Sequence, residues 1–159
     1  ISSTSGSTGL PKMILHQFDS IIKNSLETTK RLKLKSYKNV IERRREVAQM
    51  YQDRLGGLGE LQLPPSPDSN PDYYDVYQNY EIQADKRDEL KNHLGEKGIG
   101  TLIQWGGTAV HQFKQLGFNQ SLPKTEKFFE RCIMLPMNIF ISNKDIEYIC
   151  ETVIRFYRD

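Results

Sequence analysis

Apolar residues recur at helical spacing in the N-terminal third of the chain. One such pattern runs from Gln17 to about Leu32. A second runs from Leu34 to Leu55 with an interruption at Arg44, and Gly56 follows it directly. Spacings of three, four and seven residues place these side chains on one face of a helix, and glycine is a common helix end. The pattern therefore predicts two consecutive helices.

The clearest helical stripe lies near the C-terminal end of the sequence. Its apolar members are Ile146, Ile149, Cys150, Val153 and Phe156. Ser142 followed three residues later by Asp145 resembles a capping box, with aspartate in place of the usual glutamate. We therefore expect a helix that begins at Ser142 and buries this stripe.

Alternation of apolar and polar residues indicates strands in the middle of the chain. In the segment 76–84 one face of the predicted strand is apolar and the other mainly polar, which is typical of a strand with one buried face. The first face holds Val76, Tyr80, Ile82 and Ala84, and the second holds Tyr77, Asn79, Glu81 and Gln83. Thr101–Trp105 is predicted to be a second strand, ended by the glycines that follow it. The proline-rich segment Leu63–Pro71 cannot form a helix and predicts an extended surface loop.

Two further helices are expected around these strands. Asp85 is predicted to cap a helix over Lys86–Lys97 that Gly98 ends, and Glu126–Leu135 has a helical pattern that stops before a proline. Strand, helix, strand and then helices predict an α/β or α+β fold, in which helices pack on a small sheet.

Composition excludes several classes of protein. Of the 159 residues 37% are apolar and 26% are charged, as in ordinary soluble domains. No apolar run approaches the roughly 18 residues of a membrane span, and we expect no membrane partner and a cytoplasmic location. Cys132 and Cys150 both fall on apolar helical patterns, which predicts buried free thiols. The three histidines have no carboxylate at matching spacing, so no metal site is predicted.

Positive charge is concentrated near the N-terminus. Residues 1–56 carry a net charge of +6 and the remainder −4, and most of the excess lies in Lys30–Arg45. Such a run can follow a phosphate backbone. It is not accompanied by the aromatic or glycine motifs of nucleic-acid modules, so a solvated helix face is favoured and no nucleic-acid partner is expected.

A motif rich in glycine and hydroxyl side chains comes first in the sequence. Glycines free backbone amides to point at an anion, hydroxyls add donors and a lysine adds charge. The stretch resembles the phosphate-binding loop of the adenylate-forming acyl-CoA and acyl-protein synthetases, which would imply ATP with Mg²⁺. Its candidate phosphate-binding residues are Thr4, Ser5, Gly6, Ser7, Thr8, Gly9 and Lys12. The alternative is a flexible segment rich in serine and glycine.

A broader resemblance covers residues 31–159. This part is similar to the C-terminal small domain of the DegT/DnrJ/StrS-type sugar aminotransferases, pyridoxal-phosphate (PLP) enzymes that aminate keto-sugars attached to nucleotides. The segments that carry the resemblance are Tyr37–Arg45, Tyr73–Ile82, Lys97–Thr101, Gln104–Phe113, Leu122–Glu126, Met134–Asn138 and Tyr148–Tyr157.

This resemblance implies a function in amino-sugar biosynthesis, for polysaccharides, antigens or secondary metabolites. In that family a large N-terminal domain holds PLP on a lysine. No lysine here has that context, so we expect no catalytic residue and no PLP binding by this chain alone. The chain is predicted to be a chimera of a synthetase fragment, residues 1–33, and a small aminotransferase domain, residues 34–159. The alternatives are a ligase fragment and a non-catalytic binding or assembly domain.

The resemblance also implies a ligand site, because the family places the loop that begins at Trp105 beside the nucleotide-sugar cleft. Trp105, Gly106, Gly107 and His111 are the candidate substrate-binding residues. For Trp105 a place in the core at a strand end is favoured over ligand stacking, and His111 is balanced between ligand contact and a bond to the backbone. We expect weak binding of a nucleotide-linked sugar, and self-association into a homo-oligomer is a further expectation.

Overall fold

The computed structural model describes residues 37–158. This part of the chain forms four helices and three strands, in the order α1 Tyr37–Leu55, β1 Leu61–Gln62, β2 Tyr80–Ala84, α2 Arg87–Glu96, α3 Pro123–Arg131, β3 Cys132–Leu135 and α4 Asn143–Arg158. Between α2 and α3 the chain forms three short turns, Gln104–Gly107, Val110–Gln112 and Lys114–Leu116. The candidate phosphate-binding residues Thr4–Lys12 lie outside the described residues.

The three strands form one antiparallel sheet in the order β1-β2-β3. Tyr80 pairs with Leu135, and Ile82 pairs with Ile133. Along β2, Tyr80, Ile82 and Ala84 are buried, whereas the residues between them are partly exposed. The alternation predicted for this segment is therefore confirmed over the observed strand, and the mixed α/β fold with a small sheet and packed helices is confirmed.

The core lies between the sheet and the helices. α1 contributes Val47, Tyr51 and Leu55, and α2 contributes Leu90 and Leu94, all of them fully buried. α4 adds the stripe predicted from the sequence, in which Ile146, Ile149, Cys150 and Val153 are buried. Each large apolar side chain removed from water contributes roughly 1.5–3 kcal/mol, so these three helices are held mainly by packing.

The capping box at the start of α4 is confirmed. The Ser142 hydroxyl accepts a hydrogen bond from the Asp145 amide at 3.1 Å, and the Asp145 carboxylate accepts one from the Ser142 amide at 3.0 Å. The Ser142 hydroxyl also donates to that carboxylate at 2.6 Å. These bonds hold the pKa of Asp145 below its usual range. Two amides without helical partners are thereby satisfied.

The strand predicted over Thr101–Trp105 is wrong. Only Leu102 pairs in strand fashion, through two backbone hydrogen bonds with Met134 of β3. The chain then turns sharply, because Trp105, Gly106 and Gly107 have φ angles of 54°, 64° and 75°. A strand requires φ near −120°, so Trp105 cannot belong to one, and the two glycines end the extended segment as predicted.

The helix predicted over Glu126–Leu135 is also wrong in its second half. α3 ends at Arg131, and the next four residues form β3 against the central strand. A short apolar run fits a buried strand as well as a buried helix, so long-range pairing with β2 decides the outcome. Cys132 is consequently a buried strand residue, and Cys150 is a buried helix residue. Both are free thiols, and burial raises the pKa of Cys150 to about 12.

Smaller corrections concern element boundaries. Asp85 does not cap α2, because Lys86 occupies the cap position with a φ of 53° and no side-chain cap bond, while the Asp85 carboxylate contacts Arg131 at 2.9 Å. The strand begins at Tyr80, four residues later than predicted. α1 continues through Arg44 without interruption.

The solvated basic face predicted for Lys30–Arg45 is wrong at its C-terminal end. The side chain of Arg45 is 11% exposed, pairs with Asp68, donates to the Asp75 carbonyl at 2.7 Å and lies over the Tyr74 ring at 4.2 Å. These arginine contacts tie α1 to the proline-rich loop and to the residues that follow it. The loop contains no helix, as predicted. Across residues 37–158, no helix has the length and apolar character needed to cross a membrane.

Candidate functional site

The loop between the Leu102 bridge and α3 encloses one side of a cavity of about 860 Å³. α3 supplies the other side through Thr125 and Phe129. The cavity is walled chiefly by apolar side chains, those of Trp105, Val110, Phe113, Phe118, Leu122 and Phe129. Polar groups are few, and they come from Thr108, His111, Gln120 and Thr125. An apolar concavity with a small number of polar groups is the usual form of a small-molecule site.

The structure brings two of the four predicted substrate-binding residues to the cavity. Trp105 and His111 line it, whereas Gly106 and Gly107 form the turn that leads into it. At Gly107 a Cβ atom would lie 3.3 Å from Ile103 Cγ2 and 3.5 Å from an Arg87 guanidinium nitrogen. Glycine is therefore required here by its positive φ and by close packing on α2.

The prediction that Trp105 lies in the core at a strand end is wrong. Its side chain is 75% exposed, because the left-handed turn carries it away from the sheet. With the Gln104 amide oriented to satisfy both neighbours, its oxygen accepts from the Trp105 indole at 3.2 Å and its nitrogen donates to Glu81 at 2.9 Å. Burial raises the pKa of that glutamate. The indole is thus held at the cavity mouth by a polar chain from β2.

Within residues 37–158, the His111 side chain bonds to another side chain and not to the backbone. Its Nε2 lies 3.0 Å from Glu126 Oε1, and the ring is 9% exposed. The same carboxylate oxygen accepts a hydrogen bond from the Leu122 amide at 2.9 Å. First this backbone bond, and then the His111 contact, lower the pKa of Glu126. The pair connects the loop to the first turn of α3.

Glu126 was not identified from the sequence as a site residue. The available signal was its place in the first turn of a helix that has Pro123 at its start, where a carboxylate is favoured. Its partner His111 lies fifteen residues away on an irregular loop. No periodicity relates the two positions, so the contact depends on the tertiary structure.

Within residues 37–158, the cavity wall contains no lysine that could hold PLP covalently. A Schiff base needs a lysine amine. Groups of three or more histidine, cysteine or acidic side chains able to hold a metal were not found in the described part of the chain. The lining of the cavity offers apolar contact and a few groups that can form hydrogen bonds.

The fold is that of a small α/β domain with an apolar cavity on one side. Comparison with known proteins assigns its family. The profile of the DegT/DnrJ/EryC1/StrS aminotransferase family matches residues 28–154, and the chain belongs to this family.

Individual relatives agree with this assignment. The chain is 33% identical to the "Pleiotropic regulatory protein" of Geobacillus stearothermophilus over 74% of its own length and 32% of the relative. It is 31% identical to the GDP-perosamine synthase of Escherichia coli O157:H7, over 75% of the chain and 32% of the relative. The crystal structure of S. venezuelae DesV in complex with a ketimine intermediate superimposes with a TM-score of 0.71 at 26% identity, covering 81% of this chain and 35% of DesV. The chain spans about a third of the length of these relatives.

Proposed function

We propose that residues 34–159 are the C-terminal small domain of a PLP-dependent nucleotide-sugar aminotransferase of amino-sugar biosynthesis, inactive by itself. The cavity between Trp105 and Phe129 would contact the nucleotide-linked sugar. The observation that carries this proposal is the position of that cavity within a domain of the aminotransferase family. A relative named for making GDP-perosamine, an activated sugar, supports the substrate class.

The cofactor would be held elsewhere in such an enzyme. No lysine of residues 37–158 borders the cavity, and the chain spans about a third of its relatives. PLP would therefore be bound by a part of the family fold that this chain does not cover. We accordingly propose that no catalytic residue lies in this chain and that PLP does not bind to it alone.

The alternatives are not favoured. The family match covers residues 28–154. The synthetase resemblance depends on the serine- and glycine-rich segment Thr4–Lys12, which lies outside this match. Three points remain predictions. The first is a boundary between two units near residues 33 and 34. The others are binding of ATP with Mg²⁺ by the first unit and a purely assembling role for the second. A cytoplasmic location and a homo-oligomeric state also belong to this proposal.

Binding of an activated sugar is tested by NMR titration with dTDP-glucose. We expect shifts at the Trp105 indole and the His111 ring, with a dissociation constant in the millimolar range, equivalent to about 4 kcal/mol. Phe113→Ala should weaken binding because Phe113 lines the cavity. Leu116→Ala removes an exposed apolar residue outside the lining and serves as the matched control. Shifts confined to Thr4–Lys12, or no shifts, would contradict the proposal.

A further inference from the structure

The two ring nitrogens of His111, which lines the cavity, have different surroundings. Nε2 faces Glu126 Oε1 at 3.0 Å. No hydrogen-bond partner for Nδ1 is found within residues 37–158, and Nδ1 is not among the sequestered polar atoms there. The ring itself borders the cavity. Nδ1 is thus the nitrogen left for a ligand.

The carboxylate that faces Nε2 is itself anchored. Glu126 Oε1 accepts the Leu122 amide at 2.9 Å, which holds the side chain against the first turn of α3. An ionised carboxylate can only accept hydrogen bonds. A ring nitrogen in contact with it must therefore carry a proton, and in a neutral imidazole the other nitrogen then carries a lone pair. The lowered pKa of Glu126 agrees with an ionised partner.

The rest of the cavity wall offers nothing to balance an anion. Apart from His111, the lining consists of apolar residues, two threonines and one glutamine, without a lysine or arginine. A phosphate group taken from water into such a wall would lose its hydration without gaining a charge-assisted bond. A sugar hydroxyl or amino group would find an acceptor in Nδ1 and apolar contact around it.

We infer that Glu126 is a positioning residue that holds His111 in its Nε2–H tautomer, so that the cavity presents Nδ1 as an acceptor and selects a hydroxyl or amino donor over a phosphate oxygen. This rests on the proposed function, since it specifies which part of a nucleotide-linked sugar enters the cavity. The sugar enters it, and the diphosphate stays outside.

The tautomer is read without ligand from the ¹⁵N resonances of the His111 ring. At about pH 8.5 the wild-type protein should show Nε2 protonated and Nδ1 bare. Glu126→Gln should give a mixture of tautomers, because an amide can donate as well as accept. Glu130→Gln, an exposed position on the same helix, should leave the wild-type spectrum unchanged. A protonated Nδ1 in the wild type, or an unchanged tautomer in Glu126→Gln, would overturn the inference.

Ligand selection is read by titration with dTDP-glucose and with dTDP. The sugar nucleotide should shift the Nδ1 resonance, dTDP should not, and Glu126→Gln should weaken dTDP-glucose binding about threefold or more. Equal Nδ1 shifts with both ligands would overturn the donor preference while leaving the proposed function standing. A cavity that binds neither ligand overturns the proposed function and the donor preference with it, whereas the tautomer is judged by the ligand-free spectra. Amide spectra outside the loop check that each variant is folded.

Discussion

Two buried tyrosines of the core differ in how their hydroxyl groups are satisfied. The rings of Tyr51 and Tyr80 stack with centroids 4.8 Å apart, and burial raises the pKa of both. The Tyr51 hydroxyl donates to the Pro136 carbonyl at 2.8 Å, which ties α1 to the segment after β3. The Tyr80 hydroxyl is sequestered without a hydrogen-bond partner in the described structure. Packing is similar for the two residues, but the hydrogen-bond contribution is not.

The two hydroxyls should therefore respond oppositely to removal. Tyr51→Phe should lower the free energy of unfolding by about 1 kcal/mol, because it leaves the Pro136 carbonyl without its partner. Tyr80→Phe should leave stability unchanged or raise it, because it removes an unsatisfied polar atom from the core. Urea denaturation measures both, and each variant is the control for the other. A larger loss in Tyr80→Phe would show that its hydroxyl has a partner.

Among the elements, the turn Gln104–Gly107 does most to shape the site. It follows the Leu102 bridge, places Trp105 at the cavity mouth and directs the loop towards α3. Trp105 holds a left-handed conformation that costs a non-glycine residue roughly 1–2 kcal/mol. Strained residues of this kind are concentrated at functional sites. The two glycines that follow have no such cost, so the turn depends on them.

Alanine substitution separates conformation from space in this turn. Gly106→Ala should cost about 1 kcal/mol, from its positive φ alone, because nothing lies within 4 Å of its Cβ position. Gly107→Ala should cost more, because the new Cβ would also press on Ile103 and Arg87. Gly100→Ala is the control, with free space and no positive φ, and should change stability by less than about 0.5 kcal/mol. Equal losses at positions 106 and 107 would contradict the packing argument.

At the scale of the whole molecule, the cavity region is bordered by exposed apolar side chains. Trp105, Val110 and Leu122 line it and are all substantially exposed. Exposed apolar patches of this kind commonly mark surfaces that another chain or domain covers. Since the chain spans about a third of its relatives, we propose that the remainder of the family fold, or a second copy, lies against this surface.

The predicted boundary between residues 33 and 34 is tested by truncation. If residues 1–30 contribute nothing to the core formed from α1 onward, their deletion should change the free energy of unfolding by less than about 1 kcal/mol. The full and shortened chains are compared by urea denaturation, with tryptophan fluorescence and circular dichroism as the signals. A large fall in the denaturation midpoint would place this segment within the same cooperative unit and contradict the boundary.

Features that depend on neighbouring residues were determined by the sequence alone. The Ser142–Asp145 cap, the buried stripe of α4 and the alternation along β2 follow from periods of 3.6 and 2 and from short-range hydrogen bonds. The resemblance of residues 31–159 to the sugar aminotransferases was also present in the sequence. The family match to residues 28–154 confirms the family.

Other features were decided only by the tertiary structure. Cys132–Leu135 is a strand because β2 offers it a partner, although its own residues would suit a helix. Trp105 is exposed because the two following glycines turn the chain before the tryptophan can reach the core. The contact between His111 and Glu126 joins an irregular loop to a helix start, and no local pattern encodes that distance. Local propensity contributes less free energy than burial and pairing between distant segments. Where propensity and tertiary contacts favour different structures, the tertiary contacts therefore decide.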